Sequence, residues 1–584
     1  MSNPPSLLDS GNTSASASHS ATAERLRGIQ RNVWTLWGFL RSPEGQWALA
    51  WALVALAVTL DVVFVGQRAL MRYHSFSADA FDLGNMDQAV WNTLHGHPFR
   101  MTNRGLDTLG PPTRLSIHVE PILLLIAPLY LIHSGPETLL VLQTVALAAG
   151  AIPLFLLGLR HLPSLPLVAA TLACLYVISP EVIGSALWDF HPVALATPLL
   201  LLALWALDAR HYAVFALAAF LAAMTKEDVA LSLIPLGVFL IFWRGKPRLG
   251  AAVALLSIAW VGLCFGVILP HFSGGSSGGN AYWYRYAEYG ATPKIAVVHL
   301  LTHPWELVTS VLGDEAKRGY LAVLLRTSGG LGLLAPGLLI CALPEIAVNT
   351  LSSHMEQYSG LYQYNAMLGA YLPAAAVYGI TALYTARLRV AARQSAPSSD
   401  GRAADVRPAR EMDSGRVWRQ LMQRFAERVS ARWNGLLEHI PVPARWVGPV
   451  VVGWLLMMSA WNLAATFPLT QAFWSAGAQP ARHQAQIDAL LARVPAEASV
   501  AATDTLNPHL SDRYDLYLLP DPQSYQAEYV AFDIRHAVSF SQADDQRIYD
   551  TMLASGHYQV VGQVGTVVLL RRTGPPLSPS PGSP

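Results

Sequence analysis

The chain has 584 residues, of which only 13% are charged and 53% are hydrophobic. A soluble protein carries roughly 25% charged residues, so this composition excludes a soluble enzyme, and the high apolar content excludes a disordered protein. The net charge of +1 gives no electrostatic case for a nucleic-acid partner. The three cysteines lie in apolar runs without paired spacing, which indicates neither disulfides nor a zinc site.

Apolar runs recur along the chain, and those near 20 residues are long enough to cross a bilayer. We count about ten predicted spans, at 47–66, 138–158, 167–180, 191–207, 212–224, 229–243, 249–269, 319–343, 366–386 and 447–467. The shorter run 121–132 is expected to be a tilted or re-entrant piece. The predicted fold class is therefore an α-helical polytopic membrane protein.

Basic residues set the predicted orientation, because they accumulate in cytoplasmic loops. Residues 387–446 hold twelve Arg and six acidic residues, a net charge of 12 − 6 = +6. The predicted chain begins with a cytoplasmic disordered tail and lead-in, 1–46, followed by a transmembrane core, 47–386. The outer loops of this core are predicted at 67–119, 270–318 and 344–365. A cytoplasmic linker, 387–446, then leads to a last span, 447–467, an extracytoplasmic domain, 480–572, and a disordered end, 573–584.

Residues 480–572 differ in character from the rest of the chain. They contain four short strand-like runs, ASVAAT, DLYLLP, EYVAFDI and TVVLLRR, and a helical stretch 543–556 that ends at a glycine. Eleven acidic and seven basic residues give this part a net charge of 7 − 11 = −4, as expected of a solvated surface. These residues predict a small α/β domain outside the membrane.

The predicted outer loop 67–119 is rich in titratable residues. Asp79 and Asp82 lie near its start, and Arg114, His118 and Glu120 precede the next apolar run. Titratable groups kept at a membrane edge often serve a function. The alternative is an ordinary solvated loop in which Asp79 caps a short helix.

Three further polar groups interrupt apolar runs, and each is a candidate for substrate binding. They are Asp189 and His191 in WDFHP, Lys226, Glu227 and Asp228 in KEDVAL, and Glu345 and Asn349 in LPEIAVN. Because buried charges need partners, we expect Lys226 to pair with Asp189 or Glu227. Carboxylate oxygens suit Mg²⁺, Mn²⁺ or Ca²⁺, so a divalent metal is an open expectation, although the spacing alone defines no metal site and no cofactor motif is present.

Four segments resemble a family of bacterial and archaeal multi-pass proteins known as domain of unknown function 2079. They are FDLGNMDQAVWNTLHG at 81–96, DFHP at 189–192, KEDVALSL at 226–233 and LPEIAVNTLSS at 343–353. The segment 502–520 resembles the outer domain of that family. The overall layout also resembles the GT-C superfamily of integral membrane glycosyltransferases, which take a sugar from a polyprenyl-phosphate carrier at the outer face. This second resemblance implies Asp82 as the catalytic acidic residue, with Asp79 as second choice.

Three functions remain open from the sequence. The first is a transferase that uses a lipid-linked sugar donor within membrane lipids and an unknown acceptor. In this function Asp82 would be the general base, and His118 and Glu120 would orient the acceptor or the carrier. Lys226 or Arg114 would bind the carrier phosphate. The second is a transporter or flippase lined by intramembrane charges such as Asp61. The third is a non-catalytic membrane assembly protein. Convergence of the polar groups favours the first function, and scattering favours the third.

Overall fold

The computed structural model of the chain describes residues 38–103, 110–274, 282–395, 432–433, 435–475, 481–534 and 542–577. The predictions made for residues 1–37, for most of the linker 387–446 and for 578–584 fall outside these described residues.

The membrane part of the chain is helical. Its α-helices are Pro43–His74, Asn85–Leu94, Leu123–Ile126, Pro136–Ala149, Ala151–His161, Pro166–Val177, Pro180–Leu187, Ala196–Asp208, Tyr212–Ala223, Val229–Phe242, Pro247–Leu263, Leu269–Phe272, Pro293–Thr302, Trp305–Gly313, Glu315–Arg326, Leu343–Leu351, Ala366–Ser395 and Val447–Ser475. Many of these helices begin with Pro in the first turn, where its fixed φ suits a helix and its missing N–H has no intrahelical partner to lose.

Six helical segments of the described chain are long and apolar enough to cross a membrane. They are Pro43–His74, Pro136–His161, Pro166–Leu187, Pro247–Phe272, Gln363–Ser395 and Ala444–Pro468. Four shorter apolar helices are Pro192–Asp208, Tyr212–Ala223, Val229–Phe242 and Leu339–Leu351. The predicted count of about ten spans is therefore not confirmed, whereas the polytopic helical class is.

The predicted span 319–343 is not one continuous helix. The helix Glu315–Arg326 ends at a glycine-rich kink, where Ser328, Gly329 and Gly330 have φ values of 55°, 66° and 66°. Residues in the left-handed region cannot continue a right-handed helix, so the apolar run is broken in its middle.

Two segments predicted as outer loops are partly helical. Within 270–318, the helices Pro293–Thr302 and Trp305–Gly313 meet at an angle of 92°. The first starts with Pro293 behind Thr292, whose hydroxyl accepts a hydrogen bond from the N–H of Ile295 at 3.4 Å. Within 344–365, residues up to Leu351 extend a helix that begins at Leu343. By contrast, the run 121–132 forms only short helical turns, as expected.

The C-terminal part forms the predicted α/β domain. Its five-stranded sheet has the order β2-β1-β3-β5-β4, with β1 parallel to β2 and β3, and β5 antiparallel to β3 and β4. The strands are β1 Val500–Ala502, β2 Leu516–Leu518, β3 Tyr529–Asp533, β4 Tyr558–Val564 and β5 Val567–Arg572. The helices Ala481–Leu491 and Gln542–Ala554 cover opposite faces. Strand β4 escaped prediction because it is an edge strand with few buried residues.

The helices Val229–Phe242 and Pro247–Leu263 pack with their backbones in close contact. A Cβ atom added at Gly237 would lie 2.6 Å from the carbonyl oxygen of Gly250, and one added at Gly250 would collide with the carbonyl oxygen of Gly237. Small residues allow this approach between membrane helices. The pair thereby fixes the helices that follow the 225–228 turn.

We expect Gly250→Ala to lower the stability of the protein by roughly 1–3 kcal/mol, because the added methyl group overpacks a backbone contact. Gly262→Ala on the same helix is the matched control, since an added Cβ there meets no atom within 4 Å. Thermal unfolding of the purified protein in detergent measures both. Equal midpoints for the two variants would contradict the close packing.

Candidate active site

A π-helical turn, Ala80–Gly84, follows the first span and carries Asp82. Such turns are rare and concentrate at functional sites. Oδ2 of Asp82 accepts a hydrogen bond from Trp188 Nε1 at 2.8 Å, and Oδ1 lies 3.1 Å from His191 Nε2. The Asp82 side chain is 28% exposed. The carboxylate is therefore held from two sides and open toward a third.

His191 fixes the protonation of Asp82. Its Nδ1 lies 3.0 Å from the backbone oxygen of Asp189, so both ring nitrogens of His191 face oxygen atoms. Burial alone would raise the pKa of Asp82. The charge and hydrogen bond of His191, the hydrogen bond from Trp188 and the charge of Arg114 outweigh burial and hold this pKa below its usual value. Asp82 is therefore ionised at neutral pH.

Carboxylates bind the N–H groups at the start of this turn. Asp189 Oδ2 accepts from the N–H of Asp79 at 2.6 Å, and Asp504 Oδ1 accepts from the N–H of Ala80 at 2.8 Å. Asp79 caps the turn itself, since its Oδ1 accepts from the N–H of Phe81 at 2.7 Å. The first N–H groups of a helix have no intrahelical partner and favour negative charge, which explains why acidic residues gather here.

The crowding of these carboxylates changes their protonation. Burial, followed by the charges of Asp504, Asp82 and Asp189, raises the pKa of Asp79 well above its usual value. Burial also raises the pKa of Asp189 to about 6, although the charge of Arg72 opposes the shift. Arg72 Nη2 lies 3.5 Å from Asp189 Oδ1. Asp79 is therefore a capping residue that is easily protonated, whereas the carboxylate of Asp82 keeps its negative charge.

His118 and Glu227 form a second hydrogen-bonded pair. His118 Nδ1 lies 2.8 Å from Glu227 Oε1, and Glu227 Oε2 accepts from the N–H of Val119 at 2.9 Å. Burial, together with the charges of Lys226 and Arg114, lowers the pKa of His118 well below its usual value. The ring is therefore neutral at neutral pH, with the Nδ1 proton directed at Glu227.

Lys226 has a different partner from the predicted one. Its Nζ donates to Asp228 Oδ2 at 2.7 Å, whereas the prediction named Asp189 or Glu227. The reason is that the Glu227 carboxylate already accepts from His118 and Val119. The charges of Asp228 and Glu227 outweigh the burial of Lys226 and raise its pKa, so the ammonium group is retained.

Arg114 and Glu120 hold the loop between them in shape. Arg114 Nε donates to Glu120 Oε2 at 2.6 Å and Nη2 to Glu120 Oε1 at 3.2 Å, a two-point contact that is buried on both sides. Arg114 Nη1 also contacts Asn85 Oδ1 at 3.5 Å. Its positive charge reaches Asp82, but its guanidinium is engaged.

Aromatic residues connect the two halves of the site. The ring of Tyr282 stacks on His118 with centroids 5.5 Å apart, and the Arg285 guanidinium lies 4.4 Å from the centroid of Tyr282. Arg285 Nη1 donates to the hydroxyl of Tyr364 at 3.3 Å. Residues 114–120 contact both parts of the site: Arg114 Nη1 lies 3.5 Å from Asn85 Oδ1, next to the turn of Asp82, and His118 Nδ1 lies 2.8 Å from Oε1 of Glu227, the neighbour of Lys226. These contacts connect the predicted groups around Asp82 and Lys226.

Glu345 and Asn349 support the site from a buried position. Asn349 Nδ2 donates to the hydroxyl of Tyr320 at 2.9 Å and to the backbone oxygen of Tyr364 at 2.8 Å. Glu345 is buried and lies within electrostatic reach of Lys226. Asn349 therefore holds Tyr320 and the backbone at Tyr364 in position.

Exposure separates the predicted residues into two sets. The side chains of Asp82, Asp228, Lys226 and His118 keep between 15% and 28% of their surface exposed. Those of Arg114, Glu120, Asp189 and Glu227 keep at most 5%. The first set is open enough to meet a substrate, and within the second set Glu227 holds the ring of His118.

The C-terminal domain docks directly on the turn that carries Asp82. Asn103 Nδ2 donates to Asn507 Oδ1 at 2.8 Å, and Asn507 Nδ2 donates back to Asn103 Oδ1 at 3.1 Å. Asn103 Nδ2 also donates to the backbone oxygen of Ala80 at 2.9 Å. A Cβ at Gly84 would lie 2.5 Å from Asn507 Oδ1, so this position requires glycine. The domain completes the site.

Sequence reasoning did not single out four residues of the site: Arg72, Trp188, Arg285 and Asp504. Trp188 adjoins the predicted Asp189 and was quoted only as part of its segment. Asp504 lies in the segment 502–520 that resembles the outer domain of the family, and this was the available signal. The others come from distant parts of the chain, and only folding brings them to the site.

The site does not contain a geometric metal cluster within the described residues. The group with three ligand atoms close enough for one ion is His299, His303 and Glu306, outside this site. A divalent ion bound by the acidic residues stays a prediction that this geometry does not support.

These features define a polytopic helical membrane protein whose polar site lies beneath a small α/β domain. The chain belongs to the DUF2079 family of predicted membrane proteins, whose sequence profile matches residues 72–395. That match contains most of the site and confirms the predicted family.

Two solved structures resemble the fold. One is ArnT from Cupriavidus metallidurans in the apo state, with 12% identity, 90% of this chain and 98% of that chain covered, and a TM-score of 0.43. The other is the Archaeoglobus fulgidus oligosaccharyltransferase in the apo form, with 12% identity, 88% and 74% coverage, and a TM-score of 0.38. At TM-scores below 0.5, neither likeness carries an argument about activity. No curated protein matches the chain.

We expect Asp79→Asn to stabilise the protein, and increasingly so as the pH rises. An acid whose folded-state pKa is raised contributes stability below its usual pKa of 3.8 and loses it as the pH rises through the folded value. The amide oxygen can still accept the N–H of Phe81. Thermal unfolding between about pH 5 and pH 8 measures the difference from the native protein.

Asp314→Asn is the matched control, because Asp314 caps the helix Glu315–Arg326 outside the carboxylate group. A stabilisation by Asp79→Asn that is the same at every pH would contradict the crowding of charges.

Proposed function

We propose that this chain is an integral membrane glycosyltransferase that moves a sugar from a lipid-phosphate carrier to an acceptor hydroxyl at the outer face. The observation that supports the proposal is the partly exposed carboxylate of Asp82 on a turn that residues 114–120 connect, through contacts with Asn85 and Glu227, to the partly exposed ammonium group of Lys226. A carboxylate and a cation in one site at the ends of apolar helices suit a sugar acceptor and a phosphate carrier.

Asp82 is the proposed general base. It takes the proton of the acceptor hydroxyl as the hydroxyl oxygen bonds to the anomeric carbon of the sugar. The bond from that carbon to the carrier phosphate oxygen breaks, and its electron pair leaves with the phosphate. His191 and Trp188 aim the carboxylate from the other side. Asp79, the second sequence candidate, is assigned to capping the turn.

Lys226 is the proposed contact for the carrier phosphate. Its ammonium group neutralises the charge that grows on the leaving phosphate. Arg114 was the other sequence candidate, but its two-point contact with Glu120 occupies it. His118 lies beside Lys226 with its side chain partly exposed, which suits an orienting role toward the acceptor.

The alternatives differ in what happens to the donor. A transporter or flippase would move a lipid-linked sugar without breaking its bond to phosphate. A non-catalytic assembly protein would leave the donor unchanged in place. The convergence of the polar groups favours a reaction site over scattered surface charges.

We expect Asp82→Asn to lower the transfer rate by about 10²- to 10⁴-fold, the usual contribution of a general base. The assay uses the full chain in proteoliposomes with a panel of polyprenyl-phosphate sugars, and cell-envelope extract supplies the acceptor. It measures the release of free polyprenyl phosphate, so the acceptor does not have to be identified. Asp79→Asn is the control and should retain most of the activity. Intact activity in both variants would refute the proposed role.

We expect Lys226→Gln to raise the KM for the lipid donor and to lower kcat, because the amide can still donate a hydrogen bond but is shorter and carries no charge. Lys226→Arg should recover part of the activity. The same release assay at several donor concentrations measures the two effects. A Lys226→Gln enzyme with native kinetics would place the carrier phosphate elsewhere.

A further inference from the structure

Two histidines and a glutamate meet at the junction of the helices Pro293–Thr302 and Trp305–Gly313. His299, His303 and Glu306 each offer one ligand atom, and these atoms all lie within 4.8 Å of one another. The rings of the two histidines stack with centroids 4.7 Å apart and planes at 19°. They are one helical turn apart in sequence, and the 92° bend returns Glu306 to the same face.

The orientation of His303 is fixed by its neighbours. Its Nδ1 lies 2.9 Å from Thr302 Oγ1 and 3.2 Å from the backbone oxygen of His299. The Thr302 hydroxyl donates to the same backbone oxygen at 2.9 Å, so it is free to accept from the ring N–H. The proton is thereby held on Nδ1 and the lone pair on Nε2. Metal-binding histidines are commonly oriented by such a contact on the second nitrogen.

His299 and Glu306 are already at a separation close to that of metal ligands. His299 Nε2 lies 2.7 Å from Glu306 Oε2, and the two side chains are 33% and 35% exposed. Two ligands of a tetrahedral zinc ion with bonds of about 2.0–2.1 Å lie about 3.3 Å apart. An ion arriving from solvent therefore needs only a small shift of the side chains, and it displaces any proton shared by this pair.

We propose that His299, His303 and Glu306 bind a divalent transition-metal ion, with zinc as the best fit. Two imidazoles and one carboxylate are a donor set that zinc prefers over the oxygen-only sets of magnesium and calcium. The fourth position is left for water. The ion joins two helices across their bend, and the site does not depend on the proposed transferase activity.

The test uses the full chain in detergent, purified without a histidine tag and stripped of metal. Cobalt(II) is the spectroscopic probe, because a tetrahedral site with nitrogen and oxygen ligands gives visible absorption bands, and zinc competition then gives the affinity. The variants are His303→Ala and Glu306→Gln. The matched control is His133→Ala, because His133 and Glu137 form a His–Glu pair without a third ligand among the described residues.

We expect one cobalt ion per native chain, displaced by one zinc ion. His303→Ala and Glu306→Gln should each weaken zinc binding about 100-fold, and His133→Ala should leave it unchanged. Melting of each metal-free variant checks that the partly exposed substitutions keep the fold. Absence of saturable binding by the native chain, or equal affinity in His303→Ala, would overturn the site.

Discussion

The hydrogen bonds between carboxylates and the backbone N–H groups of the Asp79–Phe81 turn are the interaction on which the site depends. Asp189 lies just after the end of an apolar helix, and Asp504 lies in the C-terminal domain. Both side chains accept hydrogen bonds from the same turn. Without them, buried N–H groups would lack partners, which is costly at a helix start. The arrangement crowds like charges, and the helix N-terminus and Arg72 offset that repulsion.

This crowding separates the roles of two neighbouring acids. Asp79 and Asp82 are three residues apart, yet burial among carboxylates raises the pKa of Asp79, whereas His191 and Trp188 lower the pKa of Asp82. Opposite environments for adjacent carboxyl groups are a common way to give one a structural role and the other a chemical role. The same division recurs around Glu227, which is buried and holds the partly exposed His118 in position.

Two differences between the sequence interpretation and the structure concern where helices begin and break. Apolar content measures burial or contact with lipid, but it does not show whether a run is one continuous helix. The run 319–343 is apolar and yet breaks at Ser328, because the backbone turns left-handed there. The segment 270–318 was predicted as an outer loop, and Thr292 and Pro293 are a helix start within it. Local glycine and proline signals therefore refine what apolar content alone indicates.

The class of protein, the α/β character of the C-terminal domain and most polar residues of the candidate site could be predicted from the amino-acid sequence alone. These follow from local properties, namely apolar length, strand-type alternation and charges that interrupt apolar runs. Which polar groups pair depends on the tertiary structure, because partners such as Asp82 and His191, or the backbone N–H of Ala80 and Asp504, lie more than a hundred residues apart in sequence. The exposure of each side chain is also set only when the helices and the C-terminal domain pack together. Exposure in turn distinguishes the residues that can meet a substrate from the buried residues that hold them.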